Sequence, residues 1–207
     1  PDTIDVSWNS GPYSGKTRTF VKDEGQSDGP VTALTYADEN EEGILFDVSN
    51  GEAGFAVGAM HTIGKTDAAI GATHFGVAPT SIPTSGIRDY AGPNAGATVN
   101  GTDGAITQFA PGAAYISADF GSGDVSGTLH SDDLSNITFA AKMSAGNTVY
   151  AANNAQILYG GEAVDTNSKL IGGFYGAGAT STAGVYDVTT LGGTPIRAVG
   201  GFGGTLP

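Results

Sequence analysis

The chain has 207 residues, 39% of them hydrophobic and 14% charged, with 34 glycines, no cysteine and a net charge of −13. Disulfides, thiolate metal sites and cysteine nucleophiles are excluded, and 8 thinly spread Lys and Arg residues leave nothing to neutralise a row of phosphates or to meet an anionic membrane surface. The glycines follow no G-X-Y period, so collagen is excluded, and no apolar run reaches the roughly 18 residues of a membrane helix.

Glycine scattered among Thr, Ser, Val and aromatic residues predicts short strands joined by many turns. Asp2–Trp8 alternates, with Ile4, Val6 and Trp8 on one face. Thr17–Val21, Val31–Tyr36 and Gly43–Val48 follow as strands, and the acidic run Asp38–Glu42 reads as a solvated loop. Gly54–Ile63 and Ala68–Val77 form a hairpin around Gly64–Asp67, with a weak helical alternative at Asp67–Ala72. Ala78–Ser85, with two prolines in eight residues, reads as the connection between two units.

Beyond it, Ile87–Tyr90 is a strand followed by a Gly/Asn/Pro-rich loop at Ala91–Gly104. Ala113–Phe120 places Ala114, Ile116, Ala118 and Phe120 on one face. Further strands are expected at Asp124–His130, Asn136–Met143, Thr148–Ala152, Gln156–Glu162, Lys169–Tyr175, Gly184–Val188 and Ile196–Phe202, with one helical turn near Ala177–Ala183. About eight strands in up-and-down order let the last pair with the first, which removes exposed edges. The fold expected is all-β: a small β-rich, handle-like domain at 1–80, then an eight-stranded antiparallel barrel at 81–207. A start at Pro1 rather than Met gives an expectation of a removed leader or a trimmed chain, and so of export.

Catalytic patterns fail on context. Gly25–Gly29 spells G-x-S-x-G but sits in a charged turn, not between strand and helix. Gly11–Thr17 is one residue short of a phosphate loop, and Gly64–Thr66 has Ala59 where the first glycine belongs. No convergent acid, base and nucleophile set is visible, so the chain is not expected to be an enzyme. The acidic stretches Asp38–Glu42, Asp132–Asp133 and Asp165 with Asn167 lack a full calcium-loop pattern. Tyr13, Tyr36, Phe55 and Tyr90 are the aromatics best suited to contact a partner if exposed. Among the histidines, the hairpin register sets His61 opposite Ile70, with His74 four residues further along the same face, roughly 13 Å away. That separation keeps the pair from sharing one haem iron without a different register.

Leu170–Gly184 (LIGGFYGAGATSTAG), Val185-Tyr186 and Ile196–Gly204 (IRAVGGFGG) resemble the C-terminal signature of the transferrin-binding protein B-like β-barrel family. Tyr115–Gly127 and Ile82–Gly92 are similar to its aspartate-phenylalanine hairpin and its entry strand. The resemblance covers roughly 82–207, and a handle-like unit of the size of 1–80 precedes each barrel in that family. Within Gly172–Gly176, alternation sets Phe174 and Tyr175 on opposite faces, one filling the barrel and one outside.

The resemblance implies a surface lipoprotein or a secreted, hemophilin-like single lobe that captures a host protein, haem or a metal complex. The expectation is therefore a non-catalytic binding protein on the cell's outer surface or in the extracellular space, with possible association with the outer membrane. No cofactor is required by the sequence. The first alternative is a haem carrier using His61 or His74, since secreted haem-binding relatives use histidines of that region. The second is a structural subunit of an outer-membrane assembly or extracellular filament. The chain differs from the lipoproteins in having no lipid-bearing cysteine, and from the transferrin receptor component in having a single lobe.

Overall fold

A computed structural model describes residues 2–8, 11–24, 31–63, 68–101, 105–132, 134–143 and 148–207. Six strands precede the barrel: β1 (Thr3–Ser7), β2 (Thr17–Lys22), β3 (Val31–Ala37), β4 (Glu41–Asn50), β5 (Ala53–Thr62) and β6 (Ala68–Gly76). They form one sheet in sequential antiparallel order. The sheet curls, because β1 and the 3-10 turn at Gly11–Tyr13 fold over one face. On that face Tyr13, Phe20, Leu34, Leu45 and Met60 are buried, with Ile4, Val6 and Trp8 partly buried against them. The opposite face buries Val31, Ala33, Ile44, Phe46, Val48, Phe55 and Val57 together with Ala95 of the barrel. Alternation along β5 explains the division: Phe55, Val57 and Ala59 point to the barrel, and Ala56, Gly58 and Met60 point away.

Residues 77–86 link this sheet to the second one. There the strands are β7 (Ile87–Asn100), β8 (Ile106–Asp119), β9 (Asp124–Ser131), β10 (Leu134–Met143), β11 (Val149–Asn153), β12 (Ile157–Tyr159), β13 (Glu162–Ala163), β14 (Lys169–Tyr175), β15 (Ser181–Thr189) and β16 (Ile196–Thr205). Eight of them, β7 to β11 and β14 to β16, pair antiparallel in chain order. The ring closes where β16 pairs with β7 along Ile196↔Asn100 to Thr205↔Ala91. The β10–β11 join is short, at Lys142↔Ala151 and Met143↔Tyr150. The small β12–β13 hairpin continues the pairing of β10 beside it.

The barrel interior is solid. Tyr90, Phe120, Phe139, Tyr150, Phe174, Tyr186 and Phe202 are all buried there. Several of the large rings sit against a residue without a side chain. A methyl group on Gly172 would overlap the Tyr150 ring, one on Gly184 would overlap Phe202, and one on Gly200 would overlap Tyr186. Much of the glycine excess thus lies inside the strands, where it makes room for aromatics. The polar ends of the tyrosines are satisfied. Tyr90 donates to the Ala179 carbonyl at 2.8 Å, Tyr150 pairs with the Thr182 hydroxyl at 2.9 Å, and Tyr186 donates to Asn94 at 3.0 Å.

Several expectations need correction. The loop expected from Ala91 is strand as far as Asn100, in register with β8 apart from a bulge between Asn94 and Gly96. Its glycines serve close approach: a methyl on Gly92 would strike the Gly203 carbonyl. Residues 102–104 lie outside the described residues. The expected helical turn at Ala177–Ala183 is a tight turn ending at Ala179, which takes φ +58°, with β15 beginning at Ser181. Ala68–Ala72 is strand, not helix. The segment Gln156–Glu162 is not a barrel strand but the 3-10 turn Asn154–Gln156 and the β12–β13 hairpin. Gly25–Gly29, the turn Gly64–Asp67 and Asp133 lie outside the described residues.

Candidate binding surface

The barrel interior is filled by side chains, which leaves the outer surfaces as the candidate sites. The aromatics named from sequence divide accordingly. Tyr13, Phe55 and Tyr90 are 1%, 0% and 2% exposed, which corrects their selection as partner contacts: they pack in the core. Tyr13 and Phe55 sit in the two cores of the first sheet. Tyr90 fills the barrel beside Phe174, and burial pushes its hydroxyl up to about 12. Tyr36 is partly exposed. It shares a surface hollow of about 310 Å³ with His61, Glu42 and Ile44.

That hollow lies beside a charged cluster. Glu41, read from sequence as part of a solvated loop, is buried at the start of β4. Its carboxylate accepts from the Lys16 ammonium at 2.6 Å and from Arg18 at 2.6 and 2.9 Å. The Lys16 hydrogen bond, reinforced by Arg18, holds Glu41 below the usual carboxylate range. Asp38 closes the adjoining turn by accepting from the backbone N–H of Asn40 and Glu41. The Tyr36 hydroxyl, donating to the same carboxyl group, is the largest cause of its lowered value. These acidic residues are occupied in holding the β3–β4 turn. Among the described residues no group of three or more His, Asp or Glu side chains is arranged to hold a metal ion.

The histidines are separate. His61 pairs with Ala68 and His74 with Phe55, so the register differs by two residues from that expected. The two lie on one face about 20 Å apart along the strands, which places them out of reach of a shared haem iron. His61 approaches Glu42 at 3.1 Å. His74 is half-buried against the barrel, its Nδ1 2.6 Å from the Tyr175 hydroxyl. His130 stands beside Asn136 and Asp132.

Burial pushes His74 below the usual imidazole value. The folded state therefore binds protons less readily there than the unfolded chain. The stability this contributes is complete above about pH 6.5 and declines as pH falls from there through the lowered folded value. Urea midpoints measured at pH 7.5 and 5.5 are expected to fall more for the native protein than for His74→Gln. Equal falls would refute a role for this contact in acid sensitivity.

A surface groove of about 720 Å³ runs over the barrel wall at Tyr115. Thr205, Ala91, Tyr115, Thr128, Thr138 and Leu158 are successive cross-strand partners over β16, β7, β8, β9, β10 and β12. They make one uncharged, outward-facing row on a strongly acidic protein. Tyr115 is 59% exposed at its centre. Sequence reasoning passed over Tyr115, although alternation carried the signal: with Ala114 and Ile116 inside, Tyr115 must point out.

The architecture defines a class: an eight-stranded antiparallel barrel lobe with a curled sheet in front of it. A sequence profile described as the C-lobe and N-lobe beta barrels of Tf-binding protein B matches residues 82–205. The chain belongs to this transferrin-binding protein B barrel family. Among the solved structures it resembles is a double mutant of the vaccine antigen transferrin binding protein B from Haemophilus parasuis Hp5, with TM-score 0.61 and 14% identity over 99% of this chain and 40% of that one. Intact Ap-TbpB, with N and C lobes, gives TM-score 0.61 and 12% identity over 100% of this chain and 42% of that one. The isotype 1 protein from serogroup B Neisseria meningitidis gives 0.58 and 16% over 100% and 39%. The chain thus spans about two fifths of the length of these proteins. No curated protein sequence matches it. Among the described residues no helix is long and apolar enough to cross a membrane.

Proposed function

We propose that the protein is a non-catalytic binding protein of the bacterial outer surface or the extracellular space. It captures a macromolecule, either a host protein or a protein-borne nutrient complex, on the outside of its barrel. The observation that carries this reading is the solid interior, filled by seven aromatic rings, set against the groove around Tyr115, whose lining side chains are uncharged apart from Asp89. A small ligand is held in a cleft or cavity that buries most of its surface, whereas a macromolecule is held on a wall with an aromatic anchor. In this reading the unit at 1–80 acts as a handle and the unit at 81–207 presents the wall.

The solved structures it resembles are named for transferrin binding, so transferrin is the first ligand to test. Immobilised protein is exposed to transferrin, and in parallel to host serum followed by mass spectrometry of what is retained. A saturable protein ligand is expected, with affinity about tenfold weaker for Tyr115→Ala, the effect of losing one interface anchor. Retention of no macromolecule would overturn the reading, and undiminished binding by Tyr115→Ala would move the site off this wall.

A further inference from the structure

Among the described residues the curled sheet does not close: β1 and β6 each pair with one strand only, β2 and β5. A groove of about 470 Å³ separates them, lined on one side by Ile4 to Trp8 and on the other by Ile70 to Thr73. Consecutive residues of both strands line it, so both side-chain faces border the groove and it runs along their backbone edges.

The pairing pattern shows which backbone groups point into it. Asp2 and Trp8 bond to β2 through Lys22 and Lys16. By antiparallel alternation the N–H and C=O of Thr3, Asp5 and Ser7 face the open side. On β6, Val77 bonds to Glu52, so Phe75, Thr73, Gly71 and Ala69 face β5, and Ile70, Ala72 and His74 face the open side. Two free ladders therefore border one slot.

The slot also has an apolar surface on each side. Toward the inside of the curl stand Ile4, Val6, Leu45 and Ala56. Toward the barrel, a second groove of about 440 Å³ carries Ile70 and Ala72 opposite Ile171, Val185 and Val199. Ile171 is exposed. The charged residues of this groove are Lys169, Arg197 and Asp187, the last two joined by two hydrogen bonds of 2.8 Å.

We propose that this seam accepts an extended peptide segment of a partner protein, which enters as an added strand beside β6 and closes the curl against β1. Only extended backbone offers donors and acceptors at the spacing of two strand edges. Successive side chains of such a segment enter the two grooves in turn, so the segment is apolar on both faces. The net charge of −13 selects a neutral or basic sequence around it. The site lies apart from Tyr115, and failure at either leaves the other standing.

A random decapeptide library displayed on phage is selected on the whole protein. Enriched peptides are synthesised and titrated, and amide exchange is followed by NMR. Enrichment of apolar, acid-poor sequences is expected, with exchange at Ile70 and Ala72 slowed at least tenfold and that at Gly71 unchanged. Methylating alternate peptide nitrogens should weaken binding at least tenfold. Ala72→Pro should do the same, because proline is tolerated at an edge whose N–H faces outward yet cannot donate there. Tyr115→Ala should leave the peptide affinity unchanged. No enrichment, protection elsewhere, or indifference to N-methylation would overturn the proposal. So would a concentration-dependent dimer that protects the same amides, since the occupant would then be a second copy.

Discussion

Gly201→Ala is expected to destabilise the protein by about 3 kcal/mol, the upper part of the range for overpacking a close-fitted core. Gly201 lies on the outer face of β16, and a methyl group there would fall within the Phe55 ring. The ring cannot yield, because Val31, Phe46, Val48, Val57 and Ala95 share its cluster. Phe55→Ala is expected to cost about 4 kcal/mol through the void it leaves. Combining the two should cost at least about 1 kcal/mol less than their sum, since the added methyl enters the vacated space. Urea unfolding of the four proteins measures this. Additive losses would refute the seating of Phe55 on Gly201 as the main tie between curled sheet and barrel.

Phe174→Ala is expected to cost about 4 kcal/mol and to lower the unfolding midpoint by about 10 °C, as ~2–4 °C per kcal/mol implies for a chain of this size. Phe174 is the centre of the interior, with Phe120 at 5.0 Å, Tyr150 at 5.2 Å and Tyr90 at 5.6 Å between ring centres. The space left behind is walled by rings and should stay dry and take up benzene. Its neighbour Tyr175 faces outward, against His74, and Tyr175→Ala should cost about 1–2 kcal/mol. Equal losses for the two substitutions would contradict a filled barrel with Phe174 at its heart.

The contrast between these neighbours was legible in the sequence. Alternation within Gly172–Gly176 assigned one ring inward and one outward before any fold was known, and the same rule buried Ala114, Ile116, Ala118 and Phe120 correctly. The G-G-F-Y-G run and its ordered flanks pointed to the family that the profile match over 82–205 establishes. Where glycine and proline were dense, the rules misled. Ala91–Asn100 looked like loop because turn residues usually mark turns. In fact its glycines admit the backbone of β16, as the Gly92–Gly203 approach demonstrates.

The binding surface was harder to read. Tyr13, Phe55 and Tyr90 were singled out as aromatics, but whether an aromatic anchors a partner or a core depends on what packs over it. Tyr36 and His61 were each noted, and their meeting in one hollow follows from the Gly43↔Tyr36 and Glu42↔His61 pairings across β4.

Residue order by itself determined the alternation of most strands, because it depends on neighbours two positions apart, and the short connections between consecutive strands pointed to an up-and-down barrel. Only the tertiary structure decided which glycines are turns and which are sockets for rings, that the barrel is solid, and that β1 and β6 end as facing, unpaired edges. Those outcomes depend on contacts between residues far apart in the chain, such as Phe55 with Gly201 and Tyr186 with Asn94, which periodicity along a single segment does not encode.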